Sequence, residues 1–268
     1  MTTWHDLLQP GAAPCYFERR PLPAFDAAAS TYHAANAWWL AELSRVVYRH
    51  DVEEDATPLQ PPRSRFLADA GLRQVAFFQG RAGTQGFLVR SEGPGPFAAL
   101  VFRGTEGKVQ DVAHDLEVRT VSLPTQGARV HEGFTRALDA VWNAVSTALD
   151  GLDCPVFFAG HSLGAALATL AASRRAPRAV YTFGSPRVGN AAFVSGLANV
   201  PVFRIVNHTD MVATLPPESL GYAHVGELHR LAAGAAEPGG LLGWSRRLRV
   251  PPQPLADHAP INYVEKLI

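Results

Sequence analysis

The stretch PVFFAGHSLGAALATL (residues 155–170) decides the fold, because it places a serine between an apolar run and a segment rich in small residues. The apolar run is typical of a buried strand, and the segment after Ser162 favours a helix that reaches Ser173. Gly160 and Gly164 flank the serine, as a tight turn requires where larger side chains would collide with the backbone. The stretch therefore predicts a strand, a sharp turn at Ser162 and a helix.

The residues that follow this stretch, and the segment just before it, alternate apolar runs with helix-period segments. Such alternation is the pattern of βαβ units, in which helices join parallel strands across the faces of a sheet. The predicted elements are a helix with the apolar stripe Phe134, Leu138, Val141, Val145 and Leu149, a strand over 155–159, a helix over 163–173, and strands over 179–183, 201–206 and 222–228. This half of the chain predicts a parallel sheet.

The first hundred residues predict a different arrangement. A helix over 32–49 carries apolar residues at near-helical spacing, and a polar, proline-bearing loop follows over 51–65. Three runs rich in β-branched and aromatic residues are separated by glycine and proline turns, and they predict an antiparallel meander over 73–78, 84–89 and 97–102. Together the two halves predict an α/β fold with a mixed, mostly parallel sheet flanked by helices.

Length and composition predict one domain over residues 1–268, because α/β folds of this size are commonly built round a single sheet. No internal repeat is visible in the sequence. The one biased stretch, 232–254, is rich in Ala, Gly, Pro and Arg and predicts a flexible loop. With 24 Lys plus Arg against 24 Asp plus Glu the net charge is zero, so no positive field for nucleic acid is expected.

The two cysteines, Cys15 and Cys154, are far apart, fit no metal-ligand spacing and make a poor disulfide framework for a chain of this size. Residues 1–13 carry His5 and Asp6 and have no unbroken apolar stretch of the kind found in a Sec signal peptide. No stretch reaches the ~20 apolar residues that a membrane span requires. A cytoplasmic location is the default expectation, with export by a signal-independent route as the alternative.

The serine in the predicted turn is a candidate nucleophile. In a turn of the form G-x-S-x-G, the first amides of the following helix point at the negative oxygen that develops when the serine attacks an acyl carbon. Ser162 is therefore predicted to be the nucleophile, and the backbone N–H of Leu163 is predicted to be one donor to the oxyanion. The alternative is a glycine-flanked serine in an ordinary turn between a strand and a helix.

A serine hydroxyl alone is a poor nucleophile, so a histidine must take its proton and a carboxylate must orient that histidine. In α/β folds with this turn the chain order is serine, acid, histidine. Asp210 follows the predicted strand 201–206 and belongs near its carboxyl end, where catalytic groups collect in open α/β sheets. The alternative places Asp210 in a surface turn before Pro216 and Pro217.

Three histidines follow Asp210 and are the candidate bases: His224, His229 and His258. The first two fall in or just after a predicted strand, where a histidine is more often a half-buried sheet residue. His258 precedes a predicted helix over 261–267, on the mobile kind of loop that usually carries such a base, and it is favoured. The histidine beside the serine points away from it in such a turn and is interpreted as structural. That histidine is His161, and the histidines that precede the acid and break the chain order are His114, His131 and His208.

Several motifs, taken together and in order, resemble the class 3 lipase family, the fungal-type triacylglycerol lipases and their bacterial and plant relatives. The resemblance covers the chain from about Trp39 onward. The matching blocks are FRGT (102–105), HEGF (131–134), GHSLGAALA (160–168), TFGSPRVGN (182–190), VNHTDMVATLPP (206–217) and DHAPINY (257–263). Several motifs in a family's order are far more specific than any one of them.

The resemblance implies an α/β-hydrolase fold with a triad of Ser162, Asp210 and His258, the assignment that chain order also favours. It implies further that Thr105 supplies a backbone N–H and a hydroxyl to the oxyanion, beside the N–H of Leu163. The implied activity is hydrolysis of lipid carboxylic esters through an acyl-enzyme, with neither cofactor nor metal. The expected partner is therefore an acyl ester or lipid substrate.

Other activities share the same triad. Phospholipases, feruloyl-type esterases and acyltransferases differ from lipases in the acyl and leaving-group pockets, and the sequence does not separate them. A catalytically silent relative that acts as a binding module is an alternative of another class, since a fold alone does not fix a function. Such a relative would be expected to lack a triad residue, and this sequence has all three.

The family's segment after the oxyanion residue often forms a helical lid with a D-W-x-x-D pattern. Here residues 106–119 keep the two acids, Asp111 and Asp115, but carry valine in place of the tryptophan. The resemblance implies a lid, whereas the charged residues and few large apolar residues of this segment predict a modest apolar face and weak activation at lipid interfaces. The apolar stretch 241–244 (LLGW), followed by arginines, indicates a transient contact with an anionic lipid surface. Packing of Trp244 onto the body of the protein is the favoured alternative, because exposed apolar clusters are uncommon in soluble monomers.

Overall fold

A computed structural model describes five stretches of the chain. Almost all of the predicted lid-like segment 106–119 and most of the predicted flexible loop 232–254, with Trp244, lie outside the described residues. All six motif blocks quoted above lie within them. The described stretches are 2–81, 83–105, 119–125, 127–232 and 250–267.

The strands form one central sheet and one small hairpin. They are β1 (Leu72–Gln79), β2 (Gln85–Ser91), β3 (Ala98–Phe102), β4 (Thr120–Ser122), β5 (Arg129–His131), β6 (Val156–His161), β7 (Ala179–Phe183), β8 (Val202–Asn207) and β9 (Glu227–Leu231). The sheet order is β1-β2-β3-β6-β7-β8-β9, and β4 pairs with β5. β1, β2 and β3 pair antiparallel, whereas β3 and β6 to β9 pair parallel. The predicted α/β fold with a mixed, mostly parallel sheet is confirmed.

Helices lie on both faces of the sheet. They are α1 (Trp4–Leu8), α2 (Ala34–Val46), α3 (Arg63–Asp69), α4 (Glu132–Asp150), α5 (Leu163–Arg174), α6 (Ala191–Gly196), α7 (Gln253–Ala256) and α8 (Pro260–Lys266). One hydrophobic core joins the sheet to α2 and α8, and a second joins it to α4 and α5. Phe157 and Phe158, neighbours on β6, belong to different cores because side chains alternate between faces along a strand. Burial on both faces explains the continuous apolar sequence of β6.

The last strand differs from its prediction. The sequence pattern predicts a strand over 222–228, but β9 begins only at Glu227. Gly226 adopts a left-handed φ of +85° and lies so close to Val202 that a Cβ atom would collide with the Val202 carbonyl oxygen. The turn at Gly226 therefore delays the strand, and His224 lies outside the sheet.

Several short elements are not predicted from the sequence, because they contain too few residues for a hydrophobic period to be recognised. These are α1, α6, the hairpin β4–β5 and the start of α3, which lies within the loop predicted over 51–65. α1 is stabilised by a capping box, in which Asp6 N–H donates to Thr3 Oγ1 over 3.2 Å and Thr3 N–H donates to Asp6 Oδ2 over 2.8 Å. Asn190 caps α6 by accepting from the N–H of Phe193 over 3.1 Å.

Helix α1 packs on the loops that follow β8 and flank α7, in a small hydrophobic cluster separate from the two cores. Thr2 Oγ1 also donates to Asn262 Oδ1 over 3.0 Å. The cluster comprises Trp4, Leu7, Met211, Val212, Leu255, Ala259 and Ile261. Because two of these residues directly follow Asp210 and His258, the cluster holds together the loops that carry the predicted acid and base.

Candidate active site

Ser162 lies in the sharp turn between β6 and α5. Its backbone has φ +58° and ψ −127°, a left-handed conformation that costs a non-glycine residue about 1–3 kcal/mol and persists where the surroundings enforce it. A Cβ atom on Gly160 would collide with the backbone of Gly164, and one on Gly164 would collide with the backbone of Phe102. The turn is fixed further by the N–H of Ser162, which donates to Phe183 O over 3.0 Å. The predicted strand, turn and helix are therefore present, and the flanking glycines are required by close backbone contacts.

The end of β3 packs against this turn. At Gly104 a Cβ atom would lie 2.7 Å from the His161 carbonyl oxygen and 3.1 Å from Ser162 Cβ. The absence of a side chain at Gly104 therefore lets the next residue, Thr105, follow directly beside the serine. Leu163 is the first residue of α5, whose free N-terminal amides favour negative charge. The two predicted oxyanion donors thus belong to segments that meet at Ser162.

Asp210 follows β8 and is buried, as is expected for a group at the carboxyl edge of the sheet rather than in a surface turn. His258 Nδ1 lies 2.9 Å from Asp210 Oδ1 and 2.8 Å from Oδ2, although the two residues are 48 positions apart. The N–H of Val212 donates to Oδ1 over 2.9 Å. Burial alone would raise the pKa of the Asp210 carboxyl, but the His258 imidazole and the hydrogen bonds from His258 and Tyr263 outweigh burial and hold that pKa below its usual range.

His258 lies between α7 and α8, and its side chain is completely buried. A carboxylate only accepts hydrogen bonds, so contact with Asp210 places the imidazole proton on Nδ1 and leaves the lone pair on Nε2. That Nε2 is buried and has no hydrogen-bond partner in the described part of the chain. The loop expected to be mobile is instead buried at His258, and Nε2 is the ring nitrogen that lacks a partner among the described residues.

The other candidate bases do not approach Asp210. His224 Nε2 donates to Ala213 O over 2.8 Å, and burial together with Arg204 lowers the pKa of His224 to about 4. His229 stacks on Tyr32 with ring centroids 3.8 Å apart. Of the three histidines that follow the acid, the structure brings His258 alone into contact with it.

Two residues at this site escape sequence reasoning. Tyr263 is completely buried, and its hydroxyl donates to Asp210 Oδ2 while it accepts from the N–H of Asn207 over 3.3 Å. Gly184 has φ +60°, and a Cβ atom there would lie 2.5 Å from Asp210 Oδ2 and 2.9 Å from His258 Nδ1. Both lie in motif blocks, but the family's pattern alone does not say which neighbours they touch.

No group of three or more His, Cys, Asp or Glu side chains could hold a metal ion within the described stretches. Both cysteines are free. None of the helices in those stretches is long and apolar enough to cross a membrane.

Comparison with known proteins points to one family. A family model described as Lipase (class 3) matches residues 99–220. The lipase of Rhizomucor miehei is 35% identical over 155 residues, which cover 52% of this chain and 42% of that protein. The lipase of Rhizopus niveus is 33% identical over 159 residues, which cover 53% and 40%. The matches thus span about two fifths of the length of these curated relatives.

Solved structures agree with the sequence matches. Lipase II from Rhizopus niveus superposes with a TM-score of 0.58 at 28% identity, covering 64% of this chain and 70% of that one. A triacylglycerol lipase whose catalytic centre is described as a serine protease triad superposes with a TM-score of 0.57 at 31% identity, covering 62% and 69%. From the matched sequence blocks, the shared α/β-hydrolase fold and this identity over two thirds of a solved lipase, we conclude that the chain belongs to the class 3 lipase family.

Proposed function

We propose that this protein hydrolyses carboxylic esters of lipids, with Ser162 as nucleophile, His258 as base and Asp210 as the acid that orients it. The observation that carries the proposal is the buried contact of 2.8 Å between His258 Nδ1 and Asp210, with His258 Nε2 left without a hydrogen-bond partner among the described residues. The strained backbone of Ser162, in a turn where the ring of its neighbour His161 lies against that of His258, supports a serine poised for attack.

In the proposed reaction Ser162 Oγ attacks the acyl carbon while His258 Nε2 takes the hydroxyl proton. The ester C=O becomes an oxyanion that accepts from the N–H groups of Thr105 and Leu163, each donor being worth ~3 kcal/mol in hydrolases where one has been removed. The imidazolium then gives its proton to the leaving alcohol as the C–O bond breaks, and an acyl-enzyme remains. A water molecule then attacks the acyl carbon while His258 takes its proton. The carboxylic acid is released as the bond to Ser162 Oγ breaks, and His258 returns a proton to Ser162. No cofactor or metal is required.

The proposed substrate is an acyl ester of a lipid. A relative from Fusarium solani, 35% identical over 119 residues, is named a secreted mono- and diacylglycerol lipase. A relative from Oryza sativa, 42% identical over 88 residues, is named a phospholipase A1, which keeps phospholipids as a second candidate class. Hydrolysis rates on p-nitrophenyl esters of rising chain length, on a triacylglycerol and on a phospholipid distinguish a lipase from a phospholipase. They also distinguish both from a feruloyl-type esterase.

We propose further that residues 106–119 give only weak interfacial activation, and that any lipid contact is transient and is made by the apolar stretch 241–244. Hydrolysis of a short-chain ester followed across its solubility limit checks this, because a sharp rise in rate at the limit contradicts weak activation. The cytoplasmic location expected from the sequence stays a prediction, and the relative named as secreted supports export as its alternative. Cell fractionation decides between them.

Covalent labelling tests the catalytic proposal directly. A fluorophosphonate probe should label the wild-type protein at Ser162, and Ser162→Ala should lose both labelling and esterase activity by several orders of magnitude. Ser173→Ala, at the other end of α5, is the matched control and should keep both. A folded wild-type protein that is neither labelled nor active would instead favour the silent binding module.

A further inference from the structure

His161 lies next to Ser162 in the chain but points away from the turn, into the protein. It is buried, and its Nε2 lies 2.7 Å from the backbone carbonyl oxygen of His258. The two imidazole rings also lie against each other, with centroids 4.4 Å apart and planes inclined at 36°. The residue beside the nucleophile thus contacts both the main chain and the ring of the base.

The hydrogen bonds of His161 fix its tautomer. A carbonyl oxygen only accepts, so Nε2 carries the proton and Nδ1 is the acceptor. The hydroxyl of Tyr48 lies 3.1 Å from Nδ1 and must therefore donate to it. Burial and the neighbouring His258 lower the pKa of His161 to about 3, so the ring stays neutral at working pH. A neutral ring that donates through Nε2 suits a carbonyl anchor and does not compete with His258 for a proton.

We propose that His161 is a positioning residue for the base, which it anchors by the backbone at His258 O while Asp210 anchors the side chain at Nδ1. This inference rests on the proposed function of His258. Two anchors on opposite ends of one residue fix the direction in which Nε2 points. Because His161 directly precedes Ser162, one hydrogen bond ties the position of the base to the position of the nucleophile across 97 residues of chain.

Tyr48 extends this arrangement to the oxyanion side. Its hydroxyl, which donates to His161, lies where a Cβ atom on Gly104 would collide with it. The turn that leads into Thr105 therefore packs on the same hydroxyl group that holds the His161 tautomer. Base, nucleophile and oxyanion turn thus meet at one buried pair, Tyr48 and His161.

The expected result is a loss of turnover without a loss of substrate affinity. His161 is buried behind the turn at Ser162 and is not placed to bind substrate. Misplacing a catalytic group by about 1 Å can lower the rate about 100-fold. We therefore expect His161→Leu, which has no donor, to lower kcat about 100-fold with KM changed less than about twofold. His161→Gln retains an N–H donor at the position of Nε2 and should restore kcat to within about tenfold of wild type.

The matched control is His224→Leu. His224 also donates through Nε2 to a backbone carbonyl, that of Ala213 over 2.8 Å, but its ring contacts neither Asp210 nor the backbone or ring of His258. This variant should keep kcat and KM. Proton NMR gives an independent readout, because the His258 Nδ1–H signal should move in His161→Leu and stay in place in His161→Gln and His224→Leu.

Several results would overturn the inference: a folded His161→Leu with wild-type kcat, equal losses in the Leu and Gln variants, or an equal loss in His224→Leu. If His161→Leu does not fold, Tyr48→Phe takes its place. Loss of the Tyr48 donor should lower kcat several-fold with KM unchanged, and an unchanged kcat there contradicts the proposal. Failure of the proposed function appears separately, as a wild-type protein that does not react with the fluorophosphonate.

Discussion

The hydroxyl of Tyr263 donates to Oδ2 of Asp210, the same oxygen that lies 2.8 Å from His258 Nδ1. Burial, with the Asp210 carboxylate beside it, raises the pKa of Tyr263 well above its usual value, so the phenol stays a neutral donor. With Val212 N–H on the other oxygen, each carboxylate oxygen has a donor besides the histidine. A buried carboxylate satisfied in this way has little freedom to rotate.

Tyr263→Phe should lower kcat about tenfold, the ratio that a loss of about 1.4 kcal/mol produces. Without the phenol, Asp210 loses one of the donors that fix its orientation toward His258, so the imidazole is held less well. Tyr181→Phe is the matched control, since the buried Tyr181 hydroxyl accepts from His33 N–H over 3.2 Å, away from the triad. Steady-state kinetics compare the two variants, and an unchanged kcat in Tyr263→Phe would show that the phenol only fills space.

Gly184→Ala should abolish most activity. A methyl group at this position meets Asp210, His258 and the Tyr263 hydroxyl, the last at 2.9 Å, so the three groups must separate. Gly221→Ala is the control, because Gly221 has φ +82° but no atom of the described residues within 4 Å of the added Cβ. Both variants should lose about 1–3 kcal/mol of stability from the left-handed backbone. Esterase assays on the folded proteins compare the activity of Gly184→Ala with that of Gly221→Ala, and equal activity in both variants contradicts the role of Gly184.

Removing the base should cost as much as removing the nucleophile, because members of a triad act as a unit. His258→Ala should therefore match Ser162→Ala in residual kcat, while Asp210→Asn should retain more, since the orienting acid is the least indispensable member. Steady-state kinetics with a soluble p-nitrophenyl ester measure all three variants. His224→Ala should keep full activity, and a loss there with an active His258→Ala would transfer the role of base to His224.

Stability should fall as the pH falls from about 6.5 to about 4. Burial lowers the pKa of His161 to about 3 and that of His224 to about 4 in the folded state. The unfolded chain takes up protons at both positions near pH 6.5, so it binds more protons than the folded state. A falling pH therefore lowers the free energy of unfolding. The slope should approach two protons, about 2.7 kcal/mol per pH unit, near pH 5. Urea unfolding across this range checks it, and His224→Leu should remove about half the slope. A free energy of unfolding that is flat over the range contradicts the assignment.

The sequence predicts the long elements and the triad pair because their signals are local. The serine turn needs glycines at fixed positions, β6 is apolar on both faces, and α4 has an apolar stripe, so each carries its own pattern. Chain order then leaves Asp210 as the acid and favours His258, and the structure brings these two side chains into contact. Each of these two residues is identified from its own neighbours in the chain, although their contact joins positions 48 apart.

What the sequence does not predict depends on contacts between distant segments. The contact of Tyr263 with Asp210 joins residues 53 positions apart, and that of Tyr48 with His161 joins residues 113 apart. The start of β9 depends on how Gly226 meets Val202. Helix α1 has only five residues and owes its place to the cluster around Leu7. None of these relationships leaves a periodic signal in a single chain.

The separation of 97 positions between His161 and His258 also sets an order of events during synthesis. The ribosome releases β6, the serine turn and α5 long before it makes the loop that carries the histidine. Until α8 packs against α2 and places the His258 loop beside Asp210, Ser162 in the nascent chain has no base. On the proposed function, hydrolysis therefore begins only once α8 has packed against α2 and His258 has reached its place beside Asp210.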